Sequence, residues 1–167
     1  MSLDGYISDS NGRVDWLKGQ GSDNENIDTY SEFIKNIDTI LMGWNTYRQI
    51  VTELSPNKWV YSDFITYVIT HNKIASTEQI RFSNMSPVDL IKKLRKEIGK
   101  DIWICGGADL VQQLVNEDLI DCYHITVIPT LLGSGTRLFE NTKREVKLRL
   151  LNTQSYNGMT DLIYERR

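Results

Sequence analysis

Two adjacent glycines join an apolar segment to a helical pattern in the stretch Asp101-Ile-Trp-Ile-Cys-Gly-Gly-Ala-Asp-Leu. Because they have no Cβ, Gly106 and Gly107 allow a ligand to approach the backbone closely. The first turn of the following helix would offer unpaired N–H groups and a partial positive charge, which bind phosphate without a lysine. The stretch is neither GxGxxG nor a Walker loop, so a tight turn with glycines for packing explains it equally well.

Two further strand ends carry residues of the same kind. The stretch Leu41-Met42-Gly43-Trp44-Asn45-Thr46 places a glycine at the end of an apolar run and polar groups at the next helix start. The stretch Ile69-Thr70-His71-Asn72-Lys73 ends another apolar run with a hydroxyl, an imidazole and an ammonium group. Since ligands of open α/β sheets bind at the carboxyl ends of strands, the three ends predict one dinucleotide-binding groove. For His71 and Lys73 a solvated loop is the alternative.

Acidic and aromatic residues near the N-terminus are candidates for the substrate side. These are Asp4, Trp16 and Asp28. A carboxylate in a mostly apolar pocket could bind an amino-heterocycle, or supply a proton if burial raises its pKa. The alternative for Asp28 is a solvent-facing position on the first helix.

Metal and covalent chemistry find little support in the sequence, which has no CxxC, HExxH, Gly-x-Ser-x-Gly or EF-hand pattern. We predict no metal site, and a structural role for His124 within a strand. Cys105 and Cys122 both fall in apolar runs, which favours reduced thiols in the core. Chemistry borrowed from a bound cofactor is the better hypothesis.

The elements that must position these residues alternate along the chain. Ser22 and Glu25 predict a capping box, and Ile27, Tyr30, Ile34 and Ile37 recur at helical spacing after it. Asn45 would cap a second helix, and Ser86-Pro87 starts a third that stops near Gly99. A fourth helix covers residues 110–115. Strands are predicted over residues 39–42, 64–70, 101–105 and 122–128, and a hairpin over 146–155 and 159–165 around Asn157-Gly158. This order predicts an α/β fold with a mixed, mainly parallel sheet.

The length and the net charge of the chain limit the class of protein to which it can belong. With 167 residues, 40% apolar and 25% charged, the chain predicts one globular domain over residues 1–167. A net charge of -3 gives no general attraction to nucleic acid or to an anionic membrane, and we predict neither as a partner. The sequence has no apolar run of membrane-spanning length and no visible signal peptide, which favours an intracellular location.

Four segments in order carry a family resemblance: SLDGYI, LMGWNTY, ICGGADLVQQLV and IPTLLGSGTRLF. Over residues 2–139 the chain resembles the dihydrofolate reductase superfamily, closest to stand-alone relatives of the reductase domain of bacterial riboflavin biosynthesis. The resemblance implies a three-layer αβα fold with a C-terminal antiparallel hairpin, an NADPH-dependent reductase, a homodimer and a cytoplasmic location. The implied reaction is of the 5-amino-6-(5-phosphoribosylamino)uracil reductase type. The alternatives are reduction of dihydrofolate or another pterin, or dinucleotide binding without turnover.

The resemblance also implies roles residue by residue. Asp4 and Asp28 are the candidate catalytic acids, with solvent as the other source of the proton. Residues implied on the substrate side are Asp4, Gly5, Trp16, Pro129, Leu132 and Gly133. Residues implied to bind the cofactor are Gly43, Trp44, Asn45, Thr46, Thr70, His71, Asn72, Gly106, Gly107, Ala108, Asp109 and Leu110.

Two departures from the family pattern bear on these roles. Trp44 stands where the pattern usually has an arginine that pairs with the 2′-phosphate of NADPH, so NADH becomes an alternative cofactor. The family also has a strand of about six residues before SLDG, where this chain begins at Met1. An absent interior strand would leave unpaired backbone groups on its neighbours, at roughly 1–3 kcal/mol each if they are buried.

Overall fold

A computed structural model of the chain describes residues 1–140 and 142–167. The chain divides into two compact units. Unit 1 consists of Met1–Asp28 with Leu114–Arg167, and unit 2 of Thr29–Gln113. A single domain over residues 1–167 stays a prediction.

Unit 2 is built on a parallel sheet of four strands. These are β2 (Ile37–Gly43), β3 (Ile65–Ile69), β4 (Ile80–Ser83) and β5 (Asp101–Gly106), in the order β4-β3-β2-β5. The central strand β2 carries Ile40, Leu41 and Met42, each with no exposed surface. A continuous apolar run suits such a strand because both faces of a parallel sheet are covered.

Four helices accompany the sheet: α1 (Tyr30–Phe33), α2 (Trp44–Gln49), α3 (Pro87–Leu94) and α4 (Ala108–Asn116). A 3₁₀ turn (Ile34–Asn36) follows α1, and a π-helical turn (Ile50–Leu54) follows α2. The predicted start of α3 is confirmed, since the Asp89 N–H donates to the Ser86 hydroxyl oxygen at 3.1 Å.

Three helix boundaries differ from prediction. The helix expected from Ile27 onward is reduced to one turn, because Ile37 already belongs to the buried strand β2. Gly43 rather than Asn45 occupies the N-cap of α2, since the helix follows β2 without a loop. Helix α3 ends at Leu94 rather than near Gly99, and the Ile98 side chain is fully exposed.

Unit 1 contains antiparallel sheets. Strands β6 (Cys122–Val127), β8 (Leu148–Tyr156) and β9 (Met159–Arg166) form one sheet in the order β6-β9-β8. Strands β1 (Tyr6–Ser8) and β7 (Thr136–Arg137) form a separate ribbon. The predicted α/β class is confirmed. Parallel and antiparallel strands lie in separate sheets rather than in one mixed sheet.

The hairpin turn between β8 and β9 adopts the conformation that its sequence predicts. Asn157 and Gly158 have φ of 45° and 73°, as a type I′ turn requires. The Asn157 side chain is only 7% exposed and accepts a hydrogen bond from the Gly21 N–H at 2.6 Å. It donates to the Ser22 carbonyl at 3.1 Å and to Asn26 Oδ1 at 2.8 Å. The turn therefore fixes the loop formed by residues 21–26.

Two substitutions of Asn157 separate the contribution of its side-chain hydrogen bonds from the contribution of its left-handed backbone conformation. Asn157→Gly keeps the positive φ but removes three buried hydrogen bonds, so we expect a loss of about 1–3 kcal/mol in the free energy of unfolding. Asn157→Ala adds the cost of a left-handed conformation, roughly 1 kcal/mol more. Urea unfolding of the three proteins measures both steps. Equal stability of wild type and Asn157→Gly would show that the side chain contributes nothing.

Candidate active site

The carboxyl ends of three parallel strands meet at one edge of the unit 2 sheet. In the register of the sheet Gly43 lies opposite Ile69 of β3, and Met42 lies opposite Gly106 of β5. The residues that follow these positions are therefore neighbours, although they are far apart in sequence. The sheet brings together all three predicted strand-end segments.

Gly43 and Gly107 leave open space where a side chain would stand. A Cβ on Gly43 would meet nothing nearer than the Gly107 nitrogen at 3.8 Å, and one on Gly107 nothing nearer than Thr46 Oγ1 at 3.5 Å. Both are ordinary contact distances, and Gly43 has φ -82° and ψ 162°, which alanine also adopts. Packing within the protein therefore does not require glycine at position 43.

The N-terminus of α4 begins directly at this edge. The Leu110 and Val111 N–H groups both donate to the Gly107 carbonyl at 3.1 Å, so the helix starts at Ala108. The backbone N–H groups of Ala108 and Asp109, which precede them, have no carbonyl partner within the helix. They carry the positive end of the helix dipole, which attracts a phosphate.

The segment after β3 forms the other side of the edge. Thr70 is buried and its N–H donates to the Ser83 carbonyl at 2.8 Å. Its hydroxyl oxygen accepts the Asn72 N–H at 3.1 Å, which forms a tight turn. His71 and Lys73 are exposed beyond this turn.

Trp44 packs inward. Its ring centroid lies 5.6 Å from that of Tyr47 and 6.5 Å from that of Phe82, and the side chain contacts the buried core of unit 2. The indole therefore belongs to an aromatic cluster, and position 44 offers no cation to a phosphate.

In unit 1, Asp4 joins the N-terminal loop to the loop before β7. Its carboxylate accepts hydrogen bonds from the Ser2 hydroxyl at 2.7 Å, from the Leu132 N–H at 3.1 Å and from the Gly133 N–H at 2.7 Å. The Ser2 hydroxyl bond and the two backbone donors lower the pKa of Asp4 to about 2. At neutral pH the group is ionised and has no proton to donate.

The same loops also hold Tyr6 and Arg137, which the sequence did not single out, and Gly135, which belongs to the same family motif as Leu132 and Gly133. Tyr6 is buried, and its hydroxyl donates to the Gly133 carbonyl at 3.3 Å. Arg137 donates to the Tyr6 hydroxyl at 3.0 Å and to the Asp4 carbonyl at 3.1 Å. Gly135 has φ 141°, and a Cβ there would lie 2.1 Å from the Ser8 carbonyl oxygen, so only glycine fits. The position of Tyr6 directly after the Asp4-Gly5 motif is the sequence feature that could have indicated it as a site residue.

The remaining candidates are placed as follows. Trp16 donates from its indole to the Arg13 carbonyl at 3.1 Å, and Pro129 is exposed. Asp28 is exposed and precedes α1, so the predicted position on the helix is wrong. Its catalytic role stays a prediction.

The two cysteines differ from each other. Burial raises the pKa of Cys105 to about 11, which suits an inert core thiol. Cys122 is exposed, so its predicted place in the core is wrong. It occupies the first position of β6, where the alternation of the strand turns it away from buried Tyr123.

Two further features concern residues 1–140 and 142–167 of the chain. No group of His, Cys, Asp or Glu side chains is arranged to hold a metal ion. No helix among these residues has the length and apolar character needed to cross a membrane.

A parallel sheet with open strand ends, together with an antiparallel sheet, defines a dihydrofolate-reductase-like α/β fold. Residues 1–162 match the model of the RibD C-terminal domain. The chain belongs to this family, the reductase part of riboflavin biosynthesis.

Relatives and solved structures agree with this family. The uncharacterized Bacillus subtilis (strain 168) protein YwjB is 37% identical over 172 residues, covering 99% of this chain and 94% of the relative. YyaP, also uncharacterized and from the same organism, is 31% identical, covering 98% and 90%. A putative riboflavin biosynthesis protein from Shewanella sp. PV-4 superposes with a TM-score of 0.85 at 27% identity, covering 100% of this chain and 95% of its own.

A bifunctional enzyme shares the fold. It is the diaminohydroxyphosphoribosylaminopyrimidine deaminase/5-amino-6-(5-phosphoribosylamino)uracil reductase from Thermotoga maritima, with a TM-score of 0.69 at 14% identity. The alignment covers 99% of this chain and 54% of that protein.

The low pKa of Asp4 predicts a pH-dependent stability. In the folded state the pKa of Asp4 lies below its ordinary value of 3.8. The resulting stabilisation of the fold is therefore complete above pH 3.8 and is lost as the pH falls through about 2. Asp4→Asn should lower the melting temperature at pH 7, because Leu132 and Gly133 donate to different carboxylate oxygens and an amide keeps only one oxygen that can accept. The difference from wild type should close between about pH 4 and pH 2.

Asp15→Asn is the matched control, since Asp15 is an exposed carboxylate of the same unit. Its melting temperature should follow wild type at every pH. A constant difference between Asp4→Asn and wild type down to pH 2 would contradict the assignment of the shift to these hydrogen bonds.

Proposed function

We propose that the protein is an NADPH-dependent reductase of the 5-amino-6-(5-phosphoribosylamino)uracil reductase type, which acts in riboflavin biosynthesis. Membership of the RibD C-terminal domain family and the likeness to solved reductase-fold proteins support this proposal. The observation that carries it is the open cradle at Gly43 and Gly107, where a side chain would fit the protein but would fill the ligand's space.

The residues at the sheet edge fit a dinucleotide. The Ala108 and Asp109 amides at the start of α4 would hold the pyrophosphate, since they offer N–H donors and the positive end of a helix dipole. Gly43 and Gly107 would let the backbone approach it closely. Asn45 and Thr46, in the first turn of α2, would add polar side-chain contacts. NADPH, when bound, would supply the hydride for reduction of the substrate.

Cofactor choice depends on the end of β3. Trp44 packs against Tyr47 and Phe82, so the guanidinium that usually binds the 2′-phosphate has no replacement at position 44 itself. His71 and Lys73, both exposed after the Thr70 turn, are basic side chains that could bind that phosphate. We propose NADPH as the preferred cofactor with these two residues as its specificity contacts, and NADH as the weaker alternative.

The substrate side is assigned to unit 1. Asp4, ionised and saturated with hydrogen bonds, would position Leu132 and Gly133 rather than donate a proton. Solvent is therefore our proposed proton source. The other residues that we propose on the substrate side are Gly5, Trp16 and Pro129. The cytoplasm, which maintains reduced nicotinamide cofactors, is the proposed location.

Gly43→Ala tests the cradle. The new methyl group should weaken NADPH binding by at least about 10-fold, because it occupies the volume through which the dinucleotide approaches. Stability should change by no more than about 1 kcal/mol, since alanine fits the backbone there. Calorimetric titration and thermal melting measure the two effects.

Gly99→Ala is the matched control, since Gly99 lies in the same unit beside Asp38 and outside the cradle. It should leave NADPH affinity unchanged. The reductase proposal itself is tested by following reduced-nicotinamide absorbance with the pyrimidine ribosylamine and with dihydrofolate. Oxidation with the pterin alone would favour the pterin-reductase alternative. Tight binding without oxidation of either would favour the non-catalytic one.

A homodimer is our proposal for the assembly, and strand β8 supports it. This nine-residue strand lies at the edge of its sheet and exposes Leu150 (48%) and Leu151 (51%). A bulge between Leu150 and Asn152 interrupts its pairing with β9. Proteins usually cover a long edge strand with apolar side chains, and a second copy of the chain would do so.

Leu151→Asp should convert the dimer to a monomer, because it would place a charge in an apolar interface. Sedimentation velocity measures the change. Leu54→Asp, at a leucine that is 57% exposed in unit 2, is the control and should remain dimeric. A wild-type monomer at every concentration would refute the dimer.

A further inference from the structure

Arg137 is an exposed cation held in a fixed position. The antiparallel register of β1 and β7 places it directly opposite Tyr6. One guanidinium nitrogen donates to the Asp4 carbonyl at 3.1 Å and another to the Tyr6 hydroxyl at 3.0 Å. The guanidinium carbon lies 4.5 Å from the centre of the Tyr6 ring. These contacts remove rotamer freedom that an exposed arginine normally keeps.

No carboxylate among the residues that the structure describes forms an ion pair with this guanidinium. Asp4 offers it only a backbone carbonyl, because the Asp4 carboxylate is occupied by Ser2, Leu132 and Gly133. Arg144, Arg149 and Arg166 of the same unit each form an ion pair with an acidic side chain. A positive charge is thus fixed here without a counter-ion among the residues that the structure describes.

We infer that Arg137 binds the phosphate group of a phosphoribosyl substrate, an inference that rests on the proposed function. Two of its five N–H donors point to Asp4 and Tyr6, which leaves the others for a ligand. A planar guanidinium matches the geometry of phosphate oxygens, and its position is already organised before binding. The hydrogen bonds that saturate the Asp4 carboxylate reduce its repulsion of such an anion.

A purely structural role is the alternative, since Arg137 also ties β7 to β1. The two roles make different demands. A purely structural role requires only the bonds to Asp4 and Tyr6. It predicts that ligand binding does not depend on the charge of the ligand. Phosphate binding predicts a preference for phosphorylated over unphosphorylated ribose that depends on residue 137.

The test is calorimetric titration of the full chain with ribose 5-phosphate, with ribose and with NADPH. Wild type should prefer ribose 5-phosphate over ribose. Arg137→Gln should weaken ribose 5-phosphate binding by roughly 10- to 100-fold, the effect of losing charge-assisted hydrogen bonds, and leave ribose unchanged. Arg137→Lys should restore part of the preference. Arg95→Gln, at an exposed arginine ending α3, should match wild type.

Three results would overturn the inference. The first is a wild type that binds both sugars equally, a measurement that needs no variant to fold. The second is unchanged ribose 5-phosphate affinity in folded Arg137→Gln. The third is an equal loss of NADPH affinity in that variant, which would assign the residue to the cofactor's phosphate. Phosphate preference without any reductase turnover would overturn only the proposed function, because this binding needs no hydride transfer.

Discussion

The register of the central strand β2 against β3 and β5 is the constraint on which the proposed cofactor site depends. Parallel pairing places Gly43 opposite Ile69 and Met42 opposite Gly106, so the three segments that follow these strands leave the sheet at the same level. Ile40 and Met42 point to one face of β2 and Leu41 to the other, and all three are fully buried, so a shift of one residue would exchange the side chains packed on the two faces. The packing of the core therefore fixes the alignment of the strand ends.

A chain with a net charge of -3 can bind a polyanionic cofactor because the attraction is local. In the proposed site, backbone N–H groups at the start of α4 would provide this attraction, and their partial charges do not enter the formal net charge. The substrate side follows a related rule. N–H donors from Leu132 and Gly133 stabilise the ionised Asp4 carboxylate, while Arg137 contacts the backbone carbonyl of Asp4 and keeps its own charge for the proposed ligand. At these two proposed sites, fixed backbone dipoles and the Arg137 guanidinium would set the local field more than net charge does.

Much of unit 2 was predictable because its signals are local. Apolar runs that end in Gly43 and Gly106 marked the strand ends, and Ser86-Pro87 marked the start of α3. Errors arose where one pattern suits two structures. The isoleucine spacing up to Ile37 fits a helix, but burial in the sheet determines that residue's conformation.

The network in unit 1 could not be derived from residue patterns alone. Asp4 and Gly133 are 129 positions apart, and Tyr6 and Arg137 are 131 apart. The strands that bring them together, β1 and β7, have three and two residues, too few to show a period. Family resemblance indicated Asp4 and Gly133, but it gave no reason to single out Arg137.

Hydrogen–deuterium exchange with and without NADPH tests the central claim most directly, that three strand ends form one dinucleotide site. The account predicts slower exchange in residues 43–46, 70–72 and 106–110 together, with the β8–β9 hairpin unchanged. Unchanged exchange in these three segments at saturating NADPH, or protection confined to other parts of the chain, would contradict it.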